Sequence, residues 1–370
     1  MEISTTLLAS ITAFLITYIS VPAIIKLSDE KGLYDEPDGS RKDHKHQIPA
    51  LGGIAIFGGF VITSTFFLDF GKNPELGYAF SAITILFFTG LKDDIIPLTP
   101  KKKFIAQLLT IAIIIFKCDI RLTNMYGVLG VEEISYFWSV LLSGVTLLGI
   151  INAFNLIDGI NGLAGGLAVI ISATFGILFW QMNQVNLAIF AFAMGGAVGG
   201  FLVFNFQNKI FMGDTGSLTI GLISGIFSMK FIELSHETNF LFKPTFAPVF
   251  AFAILIIPLF DTLRVISIRL FNRKSPFHGD RNHVHHFLID IGFSHLQASV
   301  ILYVVNLFFI GMAWSLQMLP QLILLVSLLS MATAFSLILY YFKIKKGLEV
   351  KSLQSSSRIR VSRMKSYLER

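Results

Sequence analysis

The sequence predicts an all-α polytopic membrane protein of about eleven transmembrane helices. Three observations carry that prediction. Only 14% of the 370 residues are charged while 54% are apolar, whereas a soluble globular chain carries about a quarter charged residues. The apolar residues gather into eleven runs free of charge. The basic residues between those runs are divided unevenly among alternate loops, as the positive-inside rule requires. One cysteine, Cys118, excludes an intramolecular disulfide framework and a cysteine-based metal site. The net charge of +6 does not indicate nucleic acid as a partner, since that needs a basic face on a soluble scaffold.

In chain order the runs lie at 7–25, 48–68, 76–91, 104–116, 134–151, 162–182, 185–204, 215–229, 244–260, 296–318 and 319–342. Crossing the hydrocarbon core takes about 20 residues of helix. The runs at 76–91, 104–116, 215–229 and 244–260 are shorter, and polar flanks extend them into the interface. The first run follows Glu2 rather than a basic segment and has no small-residue cleavage site, so it reads as a retained helix. With eleven spans the termini face opposite sides. One side collects 24 basic residues; the other has only Lys72, Lys117, Arg121, Lys230 and Lys243. The basic side is therefore expected to be cytoplasmic, with the N-terminus outside and the C-terminus inside. Residues 1–342 read as one integral-membrane domain, and 343–370 as a basic cytoplasmic tail suited to anionic lipid.

Five polar segments interrupt the apolar pattern, all on the cytoplasmic side. They begin with Arg41-Lys42-Asp43-His44-Lys45-His46 and Gly90-Leu91-Lys92-Asp93-Asp94. Next comes the stretch from Asn152 to Gly162, in which Asn152, Asn155, Asp158 and Asn161 recur every three residues and are expected to point to roughly one side. The fourth runs from Asn205 to Ser217 and holds Asp214 between Gly213 and Gly216. Asp214 reads either as a helix N-cap or as a Mg²⁺ ligand, because that cation takes one or two carboxylates and completes its shell with phosphate and water. The fifth begins at Asp261, with Arg264 three residues on, an ion pair or part of a site. It continues through His278, Asp280 and Arg281 to His283, His285 and His286. These histidines lack the spacing of a zinc helix, and suit an anionic group better. Carboxylates, asparagines and basic residues at one membrane face suggest Mg²⁺-dependent phosphoryl transfer, which asks a protein for positioning and charge neutralisation. No Gly-x-x-x-x-Gly-Lys-Ser/Thr sequence is present, which argues against a P-loop ATPase.

The stretches RKDHKHQIPALGG, GLKDD, NAFNLIDGINGLAGG, FNFQNKIFMGDTGSL, PLFDTLR and SPFHGDRNHVHHFLIDIGFS together resemble the polyprenyl-phosphate N-acetylhexosamine-1-phosphate transferases, which include the MraY and WecA types. The His283-Val284-His285-His286 segment and the count of eleven spans resemble the WecA and TagO subgroup. Asn161 stands where MraY types commonly carry Asp. The resemblance implies transfer of GlcNAc-1-phosphate from UDP-GlcNAc to undecaprenyl phosphate, with release of UMP, in a bacterial inner membrane. It implies that Asp214 coordinates Mg²⁺, with Mn²⁺ as an alternative. Asp93 or Asp94 then orients the lipid phosphate, and Asp93 is chosen because adjacent helical residues diverge by about 100°. Asn155, Asp158, Asn161 and Asn205 are implied to line the uridine and phosphate pocket. Arg281, His283, His285 and His286 hold the diphosphate and sugar, with Lys42 and His44 nearby. Asp261 positions the metal or an arginine such as Arg264, and the polyprenyl groove follows a helix at 244–273 bent at Pro258. The partners implied are UDP-GlcNAc, undecaprenyl phosphate and membrane lipid, and a homodimer is the candidate assembly. Alternatives are another donor (UDP-GalNAc, UDP-FucNAc or UDP-MurNAc-pentapeptide) and, more remotely, a transporter, which wants charges at mid-span.

Overall fold

In the computed structural model, described over residues 2–34, 48–237, 246–275 and 281–368, thirteen α-helices and one three-residue 3-10 turn account for the regular structure. Extended pairing among the described residues is limited to an isolated bridge between Asn124 and Glu133. The helices are α1 (Glu2–Lys31), α2 (Gly52–Phe67), α3 (Pro74–Ile95), α4 (Pro100–Phe116), α5 (Tyr136–Ile157), α6 (Leu163–Gln181) and α7 (Val185–Asn205). They continue with α8 (Gly213–Glu237), α9 (Ala247–Ile254), α10 (Ile256–Phe271), α11 (Val284–Ile291), α12 (His295–Ser315) and α13 (Gln321–Leu368).

Local chemistry explains several boundaries. Pro74 and Pro100 open α3 and α4, where the missing N–H has no intrahelical partner to lose. A capping box starts α12: Gln297 N–H donates to Ser294 Oγ at 3.3 Å, and Ser294 N–H donates to Gln297 Oε1 at 2.9 Å. Among the described residues each of the eleven apolar runs overlaps a helix over most of its length, and α13 continues unbroken across position 343. Eight helices are long and apolar enough to cross a membrane alone, and the bent pair α9–α10 makes a ninth. The remaining three, α2, α4 and α11, have 16, 17 and 8 residues.

Lipid contact and core follow from burial. The spanning window of α8 is 83% buried and that of α7 78%, against 22% for α1 and 28% for α13. The inner pair is thus enclosed by the others. Helix association in lipid relies on packing rather than water exclusion. The phenylalanines supply it at the centre: Phe190 meets Phe60, Phe80 and Phe227 edge-on with ring centroids 5.0–5.7 Å apart.

The expected bend in the 244–273 helix is present but misplaced. The axis turns by 83° between α9 and α10, at Leu255 rather than at Pro258. A proline lacks the N–H that would reach residue i−4, and its ring crowds that carbonyl; for Pro258 residue i−4 is Ile254, the last residue of α9. The freed Ile254 carbonyl accepts from Asn306 Nδ2 of α12 at 3.2 Å.

At the end where α5 begins and α8 finishes, Glu75 pairs with Lys230 at 2.9 Å. Glu233 there accepts from Thr123 N–H and Oγ1, at 3.0 and 2.6 Å. Tyr136, Phe137 and Trp138 stand exposed beside them, the arrangement of a membrane-interface aromatic belt. The polar segments gather at the other end.

Candidate active site

The N-terminus of α8 is the hub. Its first N–H groups lack intrahelical acceptors, and the Asp94 carboxylate, arriving from the last turn of α3, supplies them. Asp214 N–H donates to Asp94 Oδ1 at 2.7 Å and Thr215 N–H to Oδ2 at 3.0 Å, with the Thr215 hydroxyl also on Oδ2. The approach depends on Gly213, whose φ is +71° and where a Cβ would lie 2.5 Å from Asp94 Oδ2. Asp214 is therefore not the cap of its own helix. Its carboxylate is free to point elsewhere, stabilised by the helix dipole.

That carboxylate meets two neighbours. Asn155 Nδ2, at the end of α5, donates to Asp214 Oδ1 at 2.8 Å and to Ser217 Oγ at 3.1 Å. On the other oxygen sits the ammonium of Lys103, from the first turns of α4, which also pairs with Asp93 Oδ2 at 3.0 Å. Asp93 Oδ1 accepts the Leu98 N–H at 2.6 Å. Adjacent carboxylates thus do different things, as their divergence around the helix requires. Asp94 faces α8, and Asp93 faces Lys103.

Lys103 was not among the expected site residues. Lys101, Lys102 and Lys103 stand together at a helix N-terminus, whose dipole opposes cations, and that conflict is a legible sequence signal for an anionic partner. Lys101 and Lys102 are exposed, while Lys103 is partly buried.

The three-residue repeat from Asn152 does not make one face. Steps of three residues drift by about 60° on an α-helix, so Asn155 reaches α8 while Asn152 pairs with Gln107 of α4 at 3.3–3.4 Å. Asp158 lies just past α5, and among the described residues no side chain pairs with it. Desolvation, with the charges of Asp214 and Asp94 nearby, pushes its carboxyl up to about 8. Asn161 bonds Asn208, and its carbonyl accepts from Ser299 Oγ at 3.0 Å. Asn205 accepts the Gly162 N–H at 2.7 Å and donates to the Ile210 carbonyl at 2.8 Å. Asn161 and Asn205 therefore hold the loop that follows Asp158.

The fifth segment forms the other half of the site. Buried Asp261 accepts the Val284 N–H at the start of α11 at 3.1 and 3.2 Å, pairs with Arg264 at 2.8 Å, and contacts His283 Nδ1 at 2.9 Å. Arg264 also donates to the Asn282 carbonyl. His285 is 1% exposed, and neither ring nitrogen has a hydrogen-bond partner among the described residues. Its Nε2 lies over Gly159, where a Cβ would come within 2.5 Å, so the glycine lets the histidine helix close on the Asp158 loop. Burial, then the neighbouring His286 charge, holds His285 well below the usual histidine range. His286 is pushed down to about 4 by burial and the Arg281 and His283 charges. Both are therefore neutral near pH 7, groups that can hydrogen-bond without carrying charge. Arg281 turns to Asp290 at 3.6 Å. Lys42 and His44 lie outside the described residues, but their segment re-enters at Pro49, whose carbonyl accepts the Phe211 N–H at 2.8 Å, two residues before Gly213.

Among the described residues no three His, Cys, Asp or Glu side chains form a ready-made cage. Hydrated Mg²⁺ does not need one. Asp214 beside Ser217 and the Asn155 amide is a hard-oxygen set, and the Asp158 carboxyl, pushed up to about 8 by burial and the Asp214 and Asp94 charges, is one that a bound cation would draw to its charged form. The residues fit the ion as a partner of bound phosphate.

The family model described as glycosyl transferase family 4 matches residues 76–232. The undecaprenyl-phosphate alpha-N-acetylglucosaminyl 1-phosphate transferase of Salmonella typhi is 32% identical over 312 residues, covering 82% of this chain and 81% of the relative. The protein of the same name in Escherichia coli (strain K12) is 32% identical, with 79% and 78% covered. A probable undecaprenyl-phosphate N-acetylglucosaminyl 1-phosphate transferase of Bacillus subtilis (strain 168) is 31% identical, with 81% and 82% covered. Similarity of this extent, on top of the site geometry, makes the chain a member of glycosyl transferase family 4, among the polyprenyl-phosphate N-acetylhexosamine-1-phosphate transferases.

Proposed function

We propose that the chain transfers GlcNAc-1-phosphate from UDP-GlcNAc to undecaprenyl phosphate, giving undecaprenyl-diphosphate-GlcNAc and UMP. The observation that carries this reading is the chain Asp93–Lys103–Asp214–Asn155 at the N-terminus of α8, facing the histidine helix across the Asp158 loop. It combines a carboxylate for a metal, a cation for phosphate and a second carboxylate for the acceptor, at one end of a membrane bundle. The names of the similar proteins supply the substrates.

A lipid phosphate oxygen attacks the sugar-bearing phosphorus, a new P–O bond forms, and the bond to the α-phosphate breaks with its electron pair leaving on UMP. Asp93 orients the lipid phosphate, because Asp94 is committed to α8. Lys103 neutralises transferring phosphate oxygens. His283, His285 and His286 hydrogen-bond the diphosphate and sugar, with Arg264 held by Asp261. Asn155, Asp158, Asn161 and Asn205 form or support the uridine and phosphate pocket, with Arg281, Lys42 and His44 at its rim. Asp214 would hold Mg²⁺, or Mn²⁺, which supplies Lewis-acid charge stabilisation when bound.

The site end is the cytoplasmic face of a bacterial inner membrane, with the N-terminus outside, the C-terminus inside and eleven passes. Counting α2, α4 and the bent α9–α10 pair with the eight long helices supports that number. A homodimer is the proposed assembly.

Membranes carrying the chain, given labelled UDP-GlcNAc, undecaprenyl phosphate and Mg²⁺, are expected to move label into lipid with equimolar UMP. Label entering lipid from UDP-GalNAc or UDP-MurNAc-pentapeptide but not UDP-GlcNAc would replace the donor. A phosphosugar trapped on the protein without lipid phosphate would overturn direct displacement.

A further inference from the structure

We propose that Lys343, at the root of the basic C-terminal segment, is a positioning residue for the histidine helix α11. The proposal rests on the functional reading above for its kinetic consequence.

With eight residues, α11 is too short to persist on its own. Asp261 holds its N-terminus through the Val284 N–H. The rest packs mainly against α13, with α12 also in contact. Asp290 sits in the last turn of α11, where an acidic side chain opposes the helix dipole and needs a cation. Lys343 provides it, with Nζ 3.0 Å from Oδ2, while Arg281 adds a weaker contact at 3.6 Å. The same ammonium lies 4.6 Å from the ring centroid of Phe287, one turn back. That ring is buried, meets Tyr340 of α13 at 5.8 Å, and carries the Arg264 guanidinium at 5.1 Å. One side chain of α13 thus grips α11 by an ion pair and by a cation–π contact.

Phe287 directly follows His285 and His286, so the rotation of Phe287 about the helix axis fixes theirs. Arg264 touches both Phe287 and Asp261, which ties this grip to the N-terminal one. Release of Lys343 leaves Asp290 with one distant partner and frees α11 to turn against the Asp158 loop.

The test uses the full chain in proteoliposomes with UDP-GlcNAc and undecaprenyl phosphate. Lys343→Met, which keeps the stem and removes the charge, is expected to raise KM for UDP-GlcNAc about threefold to tenfold, the range of one partly exposed ion pair plus one cation–π contact. The kcat stays within about twofold, since no group touching the phosphates is lost. Lys343→Arg retains both contacts and stays near wild type, and Asp290→Asn raises KM in the same direction. Hydrogen exchange at residues 284–291 is expected to speed up in Lys343→Met and Asp290→Asn, with the other helices unchanged. An unchanged KM, equal damage from Lys343→Arg and Lys343→Met, or unchanged exchange in α11 overturns the proposal. If the wild-type chain releases no UMP from UDP-GlcNAc, the functional reading falls, and the exchange data alone decide the role of Lys343.

Discussion

Asp94→Asn keeps the size of the side chain and removes one of two acceptor oxygens. In the native chain those oxygens take the Asp214 N–H at 2.7 Å, the Thr215 N–H at 3.0 Å and the Thr215 hydroxyl. The amide leaves one acceptor and turns an NH₂ toward a donor. A hydrogen bond to a charged group contributes about 1.5–3 kcal/mol, so losing one or two costs about 2–5 kcal/mol. With an unfolding entropy of roughly 2.1 cal/mol/K per residue, each kcal/mol over this chain shifts Tm by roughly 1.3 °C. The expected fall is about 3–6 °C, with or without substrate. Asp93→Asn leaves the α8 cap intact and its amide oxygen can still accept the Leu98 N–H, so the loss is that of the Lys103 contact, about 1–2 kcal/mol and roughly 1–3 °C in Tm, while UMP release drops by about 10²-fold, the range for a misplaced reacting group. Differential scanning fluorimetry in detergent and a UMP-release assay on the same preparations read both. Equal Tm losses in the two variants, or an unchanged Tm for Asp94→Asn, would refute the division of labour.

Three further outcomes are expected. Lys103→Met should lower kcat/KM for UDP-GlcNAc about tenfold to a hundredfold, the value of one charge-assisted contact, with Lys103→Arg retaining more; wild-type kinetics in Lys103→Met would remove it from the site. Asn306→Leu strands the buried Ile254 carbonyl at a cost of about 1–3 kcal/mol, so its Tm should fall by roughly 1–4 °C; a rise would show that the bend needs no donor. His286 faces Arg281, His283, Asp290 and Asp261, and its depressed value of about 4 means that below pH 6.5 the unfolded chain binds a proton the folded chain refuses. Its contribution therefore erodes as pH falls from 6.5 toward 4, and the Tm-against-pH curve of His286→Gln should be flatter than wild type in that window. Parallel curves would refute the shift.

Membrane class, helical fold and the position of every apolar run were legible in the sequence because lipid forces backbone polar groups to be satisfied within each span. Sparse charge and run length register that constraint directly. The four described polar segments were legible for the same reason, since a polar group beside a span is costly without a partner. What each residue does there was not. Whether Asp93 or Asp94 caps α8 depends on the azimuth at which α3 meets α8, and whether Asn155 and Asn152 share a face depends on the 3.6-residue period. Lys103 became a site residue only because α4 begins beside α8, and Lys343 touches Asp290 across some fifty residues of chain. The sequence by itself determined which groups must leave the lipid; the tertiary structure decided which of them meet, because a carboxylate's role is set by the donors within about 3 Å of it, and those come from other helices.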